Sequence, residues 1–396
     1  MPVVLLIAFL LALALSALTT AAMKRIAPRI GLVANPGAHR THKDATPLGG
    51  GVGIFVGLCV PLLVITGSLA LLDASGVFDP DVREVTVHGD ASPFDTRIVQ
   101  NDVTQTPLGI DPDLFSGLKR QTPLAVGFLV CCTILMVLGL IDDRRPLGAF
   151  LKLLVQLAVT AVFVAVFDVR LLTALGYLPS VLLTVLWITA VTNALNFLDN
   201  MDGLSAGVAT VCSVALFVAA MSVEPPQWFV AGTLALLVGA LVGFLIFNFP
   251  PASIFMGDAG SLVIGFVLGV LTVRTTFLPA DASFGARWYA TLAPLLILAL
   301  PLYDMVTVCV IRIARGKSPF KADNNHFSHR LVARGMSRRT AVLCLYLVTA
   351  CTSIAAIILP QVQSHTAAAL IVGQVVLILG VVALLEQHPM PESDER

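Results

Sequence analysis

The sequence predicts an all-α, polytopic membrane protein of about eleven transmembrane helices, with its N-terminus outside and its C-terminus in the cytoplasm. Three observations carry this prediction. Of the 396 residues, 57% are hydrophobic and only 12% charged, half the charged share of about 25% usual in soluble proteins. Apolar runs near 20 residues, the length a helix needs to cross the hydrocarbon core, recur along the chain. Lys and Arg concentrate in alternate connecting segments, as they do on the cytoplasmic side of a membrane.

The expected spans run near 2–22, 52–72, 122–141, 151–167, 178–197, 204–222, 228–247, 259–278, 288–311, 340–360 and 366–385. The first is too long for a signal peptide and lacks a basic n-region, so it is expected to remain as a span. With the N-terminus outside, 17 of the 24 Lys and Arg fall inside and 7 outside. The expected organisation is residues 1–72 as two spans with a cytoplasmic loop, 73–121 as an extracytoplasmic insertion, 122–386 as the transmembrane core, and 387–396 as a cytoplasmic tail. The insertion carries nine acids and four bases, turn signals such as "FDPD", and no catalytic constellation. The formal net charge is zero, so charge balance alone argues for no acidic or basic partner, nucleic acid included. The seven cysteines lie in apolar runs without zinc or disulfide spacing, and read as small packing residues.

Five polar clusters interrupt the apolar pattern, and all fall on the predicted cytoplasmic side. They are "HRTHKDATPLGGG" (39–51), "LIDDRRPLGAFLKLLVQ" (140–156), "NALNFLDNMDG" (193–203), "FNFPPASIFMGDAGS" (247–261) and "RGKSPFKADNNHFSHRL" (315–331). A carboxylate near a bilayer costs a few kcal/mol unless it is paired, hydrated or metal-bound, so their coincidence on one face points to one site. Asp142 and Asp143 are adjacent at a helix end. Neighbouring carboxylates either share a cation or push one pKa upward to make a base; a solvated helix end beside Arg144 and Arg145 is the plainer reading. Lys152 either snorkels to the interface or meets a phosphate as a point charge. Asn196, Asp199 and Asp202, three residues apart, are expected on one helical stripe of oxygen ligands suited to Mg²⁺ or to donors on a sugar or base.

In "FMGDAGS", Gly257 and Gly260 flank Asp258, and the following span is expected to aim its N-terminal amides at a phosphate. An acid beside a phosphate site asks for a bridging cation, and oxygen ligands favour Mg²⁺, with Mn²⁺ as its substitute. Zinc is disfavoured, since no cysteine is near. Arg312, Arg315, Lys317, Lys321, His326, His329 and Arg330 fall within nineteen residues. Orientation explains the cations but not the histidines, which suit an anionic, diphosphate-containing substrate.

At these residues the chain resembles the polyprenyl-phosphate N-acetylhexosamine-1-phosphate transferases. The resemblance spans about 30 to 360, and the last four clusters match that family's signature stretches in order and type. It implies that a lipid phosphate, undecaprenyl phosphate in bacteria, attacks the β-phosphorus of a UDP-N-acetylhexosamine, releasing UMP and leaving a lipid-diphosphate sugar. By motif position, Asp258 would be the principal Mg²⁺ ligand with Asn196 near the metal. Asp142 or Asp143 would deprotonate or orient the lipid phosphate, with Lys152 holding a phosphate and Asp199 among the catalytic acids. Asp199, Asp202 and Asn248 would line the nucleotide-sugar pocket. Lys43 and Asn193 would also bind substrate, and His326, His329 and Arg330 would contact the diphosphate or sugar. Direct displacement and a covalent aspartyl-phosphate route both fit. The resemblance places the chain in the inner or plasma membrane, active site toward the cytoplasm, and allows a homodimer.

Within that family "HFSHRL" is similar to the H-x-H-H-R-L of the N-acetylglucosamine-1-phosphate branch, which serves the first membrane step of cell-envelope polysaccharides such as teichoic acid and lipopolysaccharide. Ser328 stands where that branch has histidine, and Leu48 where it often has arginine. The muramoyl-pentapeptide branch would show "HHHFE", which is absent. An ion-coupled transporter, the rival of another class, would place its acids near the bilayer midplane in repeated halves; here the acids lie at span ends and no repeat is visible.

Overall fold

The computed structural model describes residues 1–34, 46–75, 112–277, 287–319 and 326–387. It is helical throughout, apart from a two-residue antiparallel pairing of β1 (Val33–Ala34) with β2 (Thr46–Pro47). The helices are α1 (Pro2–Ile26), α2 (Gly50–Ala74), α3 (Pro112–Arg144), α4 (Ala149–Phe167), α5 (Tyr177–Leu198), α6 (Leu204–Met221), α7 (Trp228–Asn248), α8 (Asp258–Arg274), α9 (Ala293–Ile297), α10 (Ala299–Ala314), α11 (Phe327–Ala333), α12 (Arg338–Ile358) and α13 (His365–Gln387).

Each of the eleven expected spans has a helical counterpart. Nine helical segments among the described residues are long and apolar enough to cross a membrane. The expected span 288–311 is a broken one: Trp288–Ile297 and Ala299–Ala314 meet at 70°. The span expected at 259–278 is α8, which starts one residue earlier and has 17 residues. The insertion expected at 73–121 is narrower in the structure, since α2 runs to Ala74 and α3 begins at Pro112. Lys119 pairs with Asp73 where those two helices approach. Residues 76–111 of the insertion lie outside the described residues.

α8 is the axis of the fold. Every residue from Ala259 to Thr272 is buried, and α8 packs against α3, α5 and α2. By contrast only 17% of the apolar stretch of α1, and of that of α13, is buried, so those helices present apolar surface to lipid. Lipid tails are as apolar as leucine, so helices in a bilayer associate by close packing rather than by escape from water, and small residues are what permits it. α7 meets α1 through the spacing Gly239-x-x-x-Gly243. A Cβ on Gly239 would lie 2.3 Å from the Phe9 carbonyl oxygen, and one on Gly243 2.4 Å from that of Leu13. Gly139 of α3 brings that helix against the start of α8, where a Cβ would lie 2.3 Å from the Ala259 nitrogen.

These packings set the helix ends. The α3/α4, α5/α6 and α7/α8 junctions, the start of α2 and the segment around α11 gather at one end of the bundle. The Gly50 and Gly51 amides, which have no partner within α2, donate to the Phe255 and Met256 carbonyls at 2.9 Å. Ser328 Oγ donates to Asn200 Oδ1 at 2.5 Å, tying α11 to the turn after α5. At the opposite end Arg274 meets Gln121, and Gln227 meets Thr276.

Candidate active site

Three of the five sequence clusters converge where α3, α4, α5 and α8 end or begin. Lys152, one turn into α4, places its ammonium between two acids, 2.9 Å from Asp142 Oδ2 and 2.7 Å from Asp258 Oδ2. The remaining Asp142 oxygen accepts the Leu147 N–H at 2.7 Å. Asn196, in the last turn of α5, donates from Nδ2 to Asp258 Oδ1 at 3.0 Å and to Ser261 Oγ at 2.9 Å. A salt-bridged and hydrogen-bonded chain therefore runs Asp142–Lys152–Asp258–Asn196 across helices α3, α4, α8 and α5. These side chains are only partly buried, which suits groups that must meet a ligand. Asn193, one turn earlier on α5, donates to Gln156 Oε1 at 2.6 Å, so it braces α5 against α4 beside this chain.

The adjacent acids of α3 have separate duties. Asp143 faces α8 and accepts the Asp258 and Ala259 amides at 2.9 and 3.2 Å. It thereby caps the helix, and negative charge there is favoured by the helix dipole. This corrects the expectation that the α8 amides face a phosphate: a carboxylate from α3 already occupies two of them. The capped turn requires glycine at 257. That residue has φ +73°, and a Cβ would lie 2.4 Å from Asp143 Oδ2.

The expected stripe Asn196–Asp199–Asp202 does not form. α5 ends at Leu198, Asp199 leaves it at φ −78°, ψ 48°, and the chain turns through Gly203 at φ +73° before α6. Three-residue spacing aligns side chains only while the helix continues. Asp199 still falls beside the cluster, where burial pushes its carboxyl up to about 8; the Asp258, Asp143 and Asp202 charges push the same way, against the Gly257 N–H. Asp202 is buried and turns to the α7/α8 loop, accepting the Ala252 N–H at 3.0 Å. It also lines a cleft of about 220 Å³ with Pro250, Pro251, Ser337, Arg338 and Arg339. Asn248 is 4% exposed, and its amide accepts from Gly203 N and donates to the Ile254 carbonyl, both at 2.9 Å. It holds the two loops around the cluster together.

The histidine segment stands on the other flank. His326 is buried, with its Nδ1 2.9 Å from Asp304 Oδ2. Its ring lies edge-on to Phe197 at 6.0 Å and to His329 at 6.5 Å. His329 hydrogen-bonds the Asn200 backbone; burial, then the neighbouring His326, hold its pKa below the usual value. Arg330 is partly buried on α11, and Arg312 stacks over the Phe197 ring at 5.3 Å. Ser328 is 1% exposed and engaged with Asn200, and Leu48 packs with Ala27, Leu32 and Ala34. Both departures from the branch pattern are thus inward-facing packing positions. Lys43 lies outside the described residues. Sequence reasoning passed over Asp304, Ser261 and Gln156; an acid inside the apolar run "LALPLYDMVTVCV" was the visible signal for the first.

The donor set suits a hard divalent cation. Asp142 and Asp258 share the Lys152 ammonium, and the Asp258 and Asp143 charges add to burial in raising the Asp199 carboxyl. The oxygens come from carboxylates and an amide, and no thiol takes part. Among the described residues no three His, Cys, Asp or Glu side chains form a closed metal cage. Mg²⁺ needs none, being held by one or two carboxylates together with phosphate and water.

The model of the family described as glycosyl transferase family 4 matches residues 125–276, the stretch that holds this cluster. The chain is 32% identical to a probable undecaprenyl-phosphate N-acetylglucosaminyl 1-phosphate transferase of Bacillus subtilis, over 89% of this chain and 84% of that one. It is 29% identical to a decaprenyl-phosphate N-acetylglucosaminephosphotransferase of Mycolicibacterium smegmatis, over 81% and 74%. It is 25% identical to the undecaprenyl-phosphate alpha-N-acetylglucosaminyl 1-phosphate transferase of Escherichia coli K12, over 83% and 76%.

Proposed function

The chain belongs to glycosyl transferase family 4, and on that premise we propose that it transfers N-acetylglucosamine-1-phosphate from UDP-N-acetylglucosamine to a polyprenyl phosphate, undecaprenyl phosphate in the first instance, with release of UMP. The carrying observation is the Asp142–Lys152–Asp258–Asn196 chain at the end of a membrane bundle. It offers acids for a cation and a lysine for phosphate at the ends of membrane-spanning helices. The names of the relatives favour N-acetylglucosamine over the muramoyl-pentapeptide donor, and they favour a transferase over a transporter.

In this reading an oxygen of the lipid phosphate forms a bond to the β-phosphorus while the bond to the bridging oxygen breaks, and UMP carries that oxygen away. Phosphoryl transfer needs positioning and charge stabilisation more than covalent participation by the protein. Lys152 holds an incoming phosphate oxygen, released from its acids when the substrates arrive. Asp142, which is not engaged in capping α8, orients the lipid phosphate or takes its proton. Asp199, pushed up to about 8, is an acid able to exchange a proton near neutral pH. Asp143 fixes Asp258 by holding the helix that carries it. A Mg²⁺ ion on Asp258, with Asn196 alongside, would neutralise the diphosphate charge. The His326–Arg330 segment and the cleft beside Asp202 flank the cluster and receive the donor. The clustered Lys and Arg support a cytoplasmic position for this end of the bundle, where UDP-sugars are made.

The test is UMP release by purified protein with undecaprenyl phosphate and Mg²⁺, offered UDP-GlcNAc, UDP-GalNAc and UDP-MurNAc-pentapeptide in parallel. Release from UDP-GlcNAc that EDTA abolishes is the expected result. A folded protein that releases nothing from any donor contradicts the reading.

A further inference from the structure

Asp304 lies on α10, outside the acidic cluster, and is 1% exposed. Burying a carboxylate is costly unless its oxygens are paired. Here both are engaged by one short segment: Oδ2 lies 2.9 Å from His326 Nδ1, and Oδ1 accepts the Phe327 N–H at 2.9 Å. The break at Leu298 makes this contact available, because it turns α10 by 70° from the helix before it.

The pairing has a chemical consequence for the ring. A carboxylate oxygen accepts and does not donate, so the proton of a neutral His326 sits on Nδ1. Nε2 is then the ring atom left for a ligand, as an acceptor when the ring is neutral and a donor when it is charged. The ring is fixed in place as well as in tautomer. Phe197 of α5 packs on it at 6.0 Å, and His326 is itself the N-cap residue of α11. Phe197 follows Asn196, which holds Asp258, so α5 spaces the ring from the acidic cluster.

We propose that Asp304 is the positioning residue of the site: it sets the Nδ1–H tautomer and the orientation of His326, so that Nε2 meets the phosphates or the sugar of the nucleotide-sugar donor. This rests on the transferase reading for the identity of the donor, but the Asp304–His326 relation itself does not depend on it.

Two measurements test the proposal separately from that reading. Nitrogen-15 spectra of histidine-labelled protein, with the His326 signals assigned by their loss in His326→Gln, report the tautomer directly. The wild-type protein should show Nδ1–H with unprotonated Nε2 at alkaline pH, and Asp304→Asn should shift His326 toward Nε2–H. An Nε2–H wild-type ring, or a His326 pattern unmoved by Asp304→Asn, overturns the proposal whether or not the protein turns over UDP-GlcNAc. In the UMP-release assay, Asp304→Asn and His326→Gln should each lower kcat/KM for UDP-GlcNAc by about 10–100-fold, the range for loss of a group that orients a functional histidine. KM for the lipid acceptor should stay near the wild-type value. The double variant should be no worse than His326→Gln alone; losses that multiply would show that Asp304 acts independently of the ring. Absence of UMP release by the wild-type protein would overturn the transferase reading, and the spectra would still decide the role of Asp304.

Discussion

Single side chains carry the sharpest expectations. Asp258→Asn removes a charge from the centre of the chain that links four helices, yet keeps an amide able to hydrogen-bond Asn196. Transfer should fall to background while the thermal unfolding midpoint stays within a few degrees; near-normal turnover would remove Asp258 from the metal role. Lys152→Met leaves Asp142 and Asp258 without their shared ammonium. We expect at least a 100-fold loss of transfer, with part of the lost stability recovered by added Mg²⁺, read as a rise in melting temperature. Asp199 gives a pH dependence. Its carboxyl is pushed up to about 8 from an unfolded value of about 3.9. Between these values the folded state holds a proton that the unfolded state has released, so stability falls as pH rises through that window. Melting temperature in EDTA should therefore drop from pH 5 to pH 9, and Asp199→Asn should flatten the drop. A wild-type profile that rises over this range contradicts the assignment.

At the scale of elements, the site depends on where helices stop and how closely they approach. Gly257 joins a positive-φ, extended backbone (φ +73°, ψ 176°) to a close carboxylate, with a Cβ position 2.4 Å from Asp143 Oδ2. Gly257→Ala should cost about 1–3 kcal/mol from the backbone alone and also disturb the cap that aims Asp258. The expected result is a lower melting temperature with a larger loss of transfer than stability would explain. A variant with normal kcat would show that the cap does not position the acid. The α7–α1 contact is different in kind: Gly239→Leu collides with the Phe9 carbonyl, far from the acids, and should weaken the bundle while leaving the folded fraction active.

At the scale of the whole molecule, the loops that carry the acids and α11 share one end, and the end of α2 and the start of α3, which flank the insertion, lie at the other. Deleting residues 85–110 should therefore spare transfer, measured as UMP release by purified, monodisperse protein. Loss of transfer by a folded deletion variant would contradict the assignment of the chemistry to the opposite side. Thiol labelling should likewise find a cysteine placed at Gly148 reachable only from the cytoplasmic side, and one placed at Gly176 only from outside.

The residues that form the site were legible in the chain because polar groups are conspicuous in hydrocarbon. Asp142, Asp143, Lys152, Asn196 and Asp258 interrupt apolar runs, and the length of those runs set most helices to within a few residues, although α3 begins at Pro112 and the span expected at 288–311 is broken. The sequence by itself determined a membrane bundle, the polar clusters that make its site, and the family. The division of labour was decided only by tertiary structure, because spacing along a chain does not say where a helix ends or which partner it meets. Asp199 and Asp202 lost their shared stripe to a turn after Leu198. Asp143 became the cap of α8 because Gly139 lets α3 approach it. Asp304 became the partner of a histidine 22 residues away because the span that carries it is bent. Each outcome depends on the crossing and breaking of helices, which close packing in a bilayer sets and local sequence pattern does not encode.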